Sequence, residues 1–232
     1  MTSIEFWGSV NTVCILISVY GVFSQLSTIR RRKQQQGAAE DVTRILSLNQ
    51  FSVSFFAYFS FFVYGYSIQP FNHFIVWPRL VASIFVLAIL FEIWRDRKTG
   101  LAKSAFMAAV LALAAGIIGL LHGGQYSDEG KLVSTVLIIA ISVLIAQGYL
   151  HQVLLIRKRG DTGAVDIKMS QFILLMDFST MALVFATGID LAWPLLVLAS
   201  TSAVTKLVIL YLFYWVRVSE VARERRLTTS RG

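Results

Sequence analysis

Long apolar stretches alternate with short polar runs along the whole chain. A helix needs roughly 20 apolar residues, at about 1.5 Å each, to cross the hydrocarbon core of a bilayer. Seven stretches meet that length, at about 7–28, 45–67, 74–94, 103–122, 132–155, 168–188 and 193–216. The fourth is the plainest. Between Ala102 and Leu121 it is rich in Ala, Leu, Ile and Gly, with only Lys103 and Ser104 polar near its start, as suits a helix that joins two functional units. The pattern predicts an all-α membrane protein of seven transmembrane helices in a three-plus-one-plus-three arrangement. The first triplet covers 1–98, the linker helix 99–125, the second triplet 126–218 and a polar tail 219–232.

The two triplets repeat one another. The pattern G-x-x-x-Q-x-x-x-I-R-x-R occurs as Gly21, Gln25, Ile29, Arg30 and Arg32, and again as Gly148, Gln152, Ile156, Arg157 and Arg159. Each copy lies where an apolar segment runs into a basic loop. Leu26 with Val153 and Arg31 with Lys158 add conservative pairs at the same offset. Gly37-Ala38 with Glu40 mirrors Gly163-Ala164 with Asp166, and Trp77-Pro78 recurs as Trp193-Pro194. Three landmarks in one order point to an internal duplication. Basic residues at helix ends are common to membrane proteins and explain the arginines, but not the glycine, glutamine and Trp-Pro positions.

Composition excludes a soluble domain, because 56% of residues are hydrophobic and 15% charged, against about 25% charged in ordinary globular chains. The formal charge of +8 lies in short runs between apolar segments, so it is read as a topology signal and not as a nucleic-acid surface. Of the 21 Lys and Arg residues, eighteen fall in loops or ends on one side, Arg79 and Lys131 on the other, and Lys206 inside a segment. By the positive-inside bias the C-terminus is cytosolic and the N-terminus is not. An odd linker then gives both triplets the same orientation, which makes them parallel repeats. The start, Met1 to Trp7, carries Glu5 and no basic residue, so the first segment is expected to be a retained helix and not a cleaved leader. Trp7, Trp77, Trp94, Trp193 and Trp215 all fall at predicted segment ends, where an indole prefers the headgroup level. In the Trp-Pro pairs, proline suits a first helical turn.

These features resemble the PQ-loop and SWEET (MtN3/saliva) superfamily of seven-helix transporters. The resemblance rests on two triple-helix units about a linker, each with a G-x-x-x-Q block and a following basic, Gly-containing loop, and it covers roughly residues 8–96 and 134–217. The chain departs from the family where a proline is expected before each glutamine, since those positions hold Ser24 and His151. The family's proline hinge therefore has no counterpart here. The resemblance implies movement of a small polar solute, a sugar or an amino acid, by alternating access between the triplets. Proton coupling stays open, as does self-association. A ligand-binding receptor or sensor of the same fold, without translocation, is the alternative.

Intramembrane charge is the most specific pointer to chemistry, because an ionised side chain at mid-bilayer costs several kcal/mol unless it is paired or hydrated. Asp177 lies about nine residues into the sixth segment and Lys206 about ten from the end of the seventh, which puts both roughly 14 to 15 Å from one surface. At that depth they can pair or bind solute, and the corresponding positions of the first half, near Tyr58 and between Phe85 and Leu90, are uncharged. Candidate binding or coupling residues are Asp177, Lys206, Tyr58, Gln171, Thr180 and Ser202, with Gly21, Gln25, Gly148 and Gln152 as the repeat motif. Glu92 is expected to sit among Arg95 and Arg97. A catalytic or metal site has nothing to form from: there is one cysteine, Cys14, no His cluster at ligand spacing and no intramembrane carboxylate pair. No cofactor is expected. Lys206 in a last helix also evokes a retinal protein with Asp177 as counter-ion, a reading the duplicated glutamine motif disfavours.

Overall fold

The computed structural model describes residues 2–36, 42–67, 71, 73–123 and 132–229, and among these it is all helix and turn. The helices are α1 (Ser3–Gln36), α2 (Leu48–Ser67), α3 (His73–Arg97), α4 (Gly100–His122), α5 (Leu132–Arg159), α6 (Ile167–Thr187), α7 (Ile189–Val218) and α8 (Glu220–Thr229). Six of them, α1 and α3 to α7, are long and apolar enough to cross a membrane, the mark of a multi-pass integral membrane protein. The predicted second segment forms a helix of 20 residues but falls short of that apolarity. Its phenylalanines are diluted by Asn49, Gln50, three tyrosines and four serines.

Helices α1 and α5 run past their apolar parts through the basic runs, ending at Gln36 and Arg159. Arg, Lys and Gln are good helix formers, so nothing local stops the coil where hydrophobicity does. The two prolines behave differently. Pro78 stands inside α3, five residues after its start at His73, and not in the first turn. Pro194 follows a break at Ala192 (φ −125°, ψ 16°), so it begins the main run of α7, as a proline favours.

The helices close into a ring in the order α1, α3, α2, α5, α7, α6 and back to α1, while α4 packs outside it against α2 and α3. Exchanging α1 with α5, α2 with α6 and α3 with α7 maps this list of neighbours onto itself. Gly21 and Gly148 occupy equivalent crossings. A Cβ on Gly21 would stand 3.2 Å from Met169 Cα of α6, and one on Gly148 3.2 Å from Gln50 Cα of α2. Each glycine thus lets a backbone of the other half approach. Outside the ring, α4 leaves Leu111, Ile118 and Leu121 exposed, which suits contact with lipid.

One turn beyond each glycine, the motif glutamine holds the start of a helix from the other half. Gln25 donates from Nε2 to the Ala164 carbonyl at 2.6 Å and accepts the Asp166 N–H at Oε1 at 2.8 Å. Gln152 donates to the Ile45 carbonyl at 2.8 Å and accepts the Ser47 N–H at 2.6 Å. Asp166 caps α6 through the Lys168 N–H at 2.9 Å, and Ser47 Oγ accepts the Gln50 N–H at 3.0 Å at the start of α2. The residue before each glutamine completes the clamp: the Ser24 hydroxyl donates to the Asp166 carboxylate, and Ser47 Oγ lies 2.7 Å from His151 Nδ1. The landmark of Gly37-Ala38 with Glu40 lies outside the described residues. The residues that meet Gln152 as Ala164 and Asp166 meet Gln25 are Ile45 and Ser47, because the first loop is longer, 22 positions from Gln25 to Ser47 against 14 from Gln152 to Asp166.

Glu92, 4% exposed, meets Lys33 at 3.0 Å, Arg95 at 3.5 Å and Arg30 at 3.7 Å. Arg97 instead donates to the Thr43 and Leu46 carbonyls and steadies the turn before α2. The tail is helical, not merely polar, and α8 packs on α5 and α7. Gly160 (φ +65°) makes room for it, since a Cβ there would stand 2.2 Å from the Ala222 carbonyl oxygen.

Candidate functional site

All six ring helices contribute to one central cavity of about 230 Å³. Its wall is largely apolar, with Ile15, Phe61, Ile145, Ile173 and Leu198 among its members. Low polarity in the wall strengthens every interaction made by the few charged groups it contains.

Those groups come from three helices. Asp177 (α6) and Lys206 (α7) are each 2% exposed, and Arg79 (α3) is half-buried. Asp177 stands ten residues after the start of α6, about 15 Å along the axis at the usual helical rise. Among the described residues no ion pair within 4.0 Å joins Asp177 to Lys206 or to Arg79. Its Oδ2 has no hydrogen-bond partner. A buried carboxylate oxygen without a donor is costly, and this one belongs to a residue that lines a cavity.

Aromatic faces hold the cations. Lys206 Nζ lies 3.5 Å from the centroid of the Tyr149 ring, and Arg79 Cζ lies 5.5 Å from Tyr58 and 5.7 Å from Phe61. A ring face stabilises a cation electrostatically without neutralising it, so both remain able to attract an anion. On the opposite wall Asn11 Oδ1 lies 2.9 Å from the Ser179 and Thr180 hydroxyls, linking α1 to α6.

Of the residues singled out in the sequence, Asp177, Lys206, Tyr58, Thr180 and Ser202 all line the cavity. Gln171 does not. It is exposed on α6, because six residues before Asp177 on a helix is most of the way round to another face. Gly21, Gly148, Gln25 and Gln152 belong to the packing and clamp layer nearer the basic loops. There Gln25, Gln152, Tyr149 and Met169 border a void of only about 10 Å³, no more than a single water needs. Tyr149 borders both this void and the cavity; of the cavity's other polar members, Ser54 lies toward the clamp layer and Asn11 and Arg79 toward the opposite end.

Arg79, Tyr149 and Asn11 were missed by sequence reading. Arg79 stands five residues into the predicted segment 74–94, and in the charge count it falls on the far side with Lys131. Its signal was the repeat itself, since Trp77-Pro78 is followed by arginine and Trp193-Pro194 by Leu195. For Tyr149 and Asn11 nothing local distinguished them from other residues of apolar helices.

Compared with known proteins, the chain matches no family model, no curated protein and no solved structure.

Proposed function

We propose that the protein is a membrane transporter of a small polar solute, built from two parallel triple-helix units, α1 to α3 and α5 to α7, with α4 as their linker. The C-terminus is cytosolic and the N-terminus is not. The exchange symmetry of the helix ring and the matched glutamine clamps support the duplication, and the cavity between the units supports the binding site. In that orientation the clamp layer is the closed cytosolic gate, and the end near Arg79 faces outward. Each clamp joins a helix of one unit to a helix start of the other, so inward opening requires both to loosen or to move with their partners.

One observation carries the substrate class: two aromatic-held cations and one partnerless carboxylate oxygen share a small, mostly apolar cavity. A sugar would leave these charges unneutralised. An amino acid supplies both complements, its carboxylate to Arg79 and its ammonium to Asp177. Amino acids are therefore favoured over sugars. Tyr58, Thr180 and Ser202 complete the polar wall.

A solute panel scored by thermal stabilisation of the purified protein tests this through the linkage of binding to stability. Zwitterionic amino acids are expected to raise the melting temperature of the native protein but not of Arg79→Gln. Stabilisation by sugars alone would remove the amino-acid assignment. Proteoliposomes separate two roles for Asp177. If it carries the coupling proton, Asp177→Asn loses pH-driven uptake and keeps counterflow exchange; if it holds the ammonium, both are lost.

A further inference from the structure

A second cavity is larger than the central one. A cleft of about 550 Å³ opens where α1, the start of α6 and the end of α7 converge beside the basic loops. Arg31 and Arg32 come from α1, Lys168 from α6 and Arg217 from α7. Among the described residues no carboxylate lies within ion-pairing distance of these four cations. The single acid in the cleft, Asp166, is already engaged by Ser24, by Thr28 at 3.2 Å and by the Lys168 N–H. Among the described residues the cleft therefore holds four cations from three helices against one carboxylate, a net positive charge.

Its polarity is graded. Ser24, Ser27 and Thr28 line it near the cations, while Phe23, Tyr20 and Phe213 continue it toward the middle of the bilayer. From Arg32 to Tyr20 is about 18 Å along α1, enough for a headgroup and the upper part of an acyl chain. Tyr20 and Phe23 are 55% and 42% exposed, so this apolar end is open at the side. The equivalent face of the other half lacks these features. Ser27 and Thr28 correspond to Leu154 and Leu155 of α5, and Lys168 corresponds to Asn49 of α2. Basic helix ends recur with the repeat; the hydroxyl-lined cleft does not.

We infer that this cleft is a binding site for the phosphate headgroup of an anionic membrane lipid, with the arginines and Lys168 on the phosphate and an acyl chain along Tyr20, Phe23 and Phe213. Guanidinium groups match phosphate geometry in paired hydrogen bonds, and basic pockets between transmembrane helices suit acidic headgroups. The proposal is independent of what the central cavity carries.

Thermal unfolding of the full chain in non-ionic detergent tests it, with dihexanoyl phosphatidylglycerol as the probe below its micelle concentration. This lipid is expected to raise the melting temperature in a saturable way, and dihexanoyl phosphatidylcholine is not. Arg32→Gln with Lys168→Gln should shift the midpoint at least about ten-fold to higher concentration. Arg157→Gln with Lys158→Gln, the same charge change on the other half, should leave it within about two-fold. Ser27→Leu, which fills the cleft and removes no charge, should also weaken binding. Equal shifts from the two double variants would reduce the effect to diffuse electrostatics and overturn the site. An unchanged response of Ser27→Leu would place the lipid outside the cleft, and stabilisation by glycerol 3-phosphate at the same concentrations would make the ligand a soluble phosphate.

Discussion

The clamp layer and the central cavity are built by the same six helices, yet they differ in kind. In the clamp layer Gln25 with Ala164 and Asp166 is matched bond for bond by Gln152 with Ile45 and Ser47. Buried amides and helix starts find partners there. About three helical turns further in, Asp177 stands at a position where the other half has Tyr58, and its Oδ2 goes without a donor. The matched glutamines are satisfied, whereas the unmatched carboxylate keeps one oxygen without a donor. Residues that match between the two halves pack them together, and residues that differ between them line the cavity.

The largest effects are expected on the asymmetric side. Arg79→Gln should reduce uptake by about two orders of magnitude, in line with the 2 to 5 kcal/mol typical of truncating one partner of a buried charge pair, while unfolding is little altered; uptake in proteoliposomes against a melting curve measures the split. Equal loss of folding would make Arg79 a packing residue and erase the distinction. On the symmetric side the prediction is equality. Gln25→Leu and Gln152→Leu each strand a buried carbonyl and N–H, and each should destabilise the protein by about 2 to 4 kcal/mol. Denaturation in one detergent compares them, and a large effect from only one would break the equivalence of the clamps.

Smaller effects sharpen the contrast. Gly21→Ala and Gly148→Ala press a methyl onto a partner backbone at 3.2 Å, and overpacking outweighs the gain in helix propensity, for a loss of about 1 kcal/mol in each. The smallest change belongs to Gln171→Ala. Being exposed on α6, it should leave uptake within about two-fold and stability within about 0.5 kcal/mol; a marked loss of uptake would put that face of α6 in the solute path after all.

Residue patterning alone determined a great deal. Apolar run length marked the six long apolar helices, since lipid leaves the backbone little choice but to satisfy its own hydrogen bonds. The G-x-x-x-Q repeat marked the two equivalent crossings, and charge inside an apolar run marked Asp177 and Lys206, which the cavity then shares. Only tertiary structure decided which way each helix is rotated. That rotation brings Arg79, Tyr149 and Asn11 into the cavity, turns Gln171 away from it, and holds Lys206 over Tyr149 without an ion pair to Asp177. It also gathers Arg31, Arg32, Lys168 and Arg217 from three helices into one cleft. The physical reason is range. Burial in a membrane is read by each segment independently, whereas a site is made of contacts between residues as far apart as Asn11 and Thr180, and no local signal encodes which faces will meet.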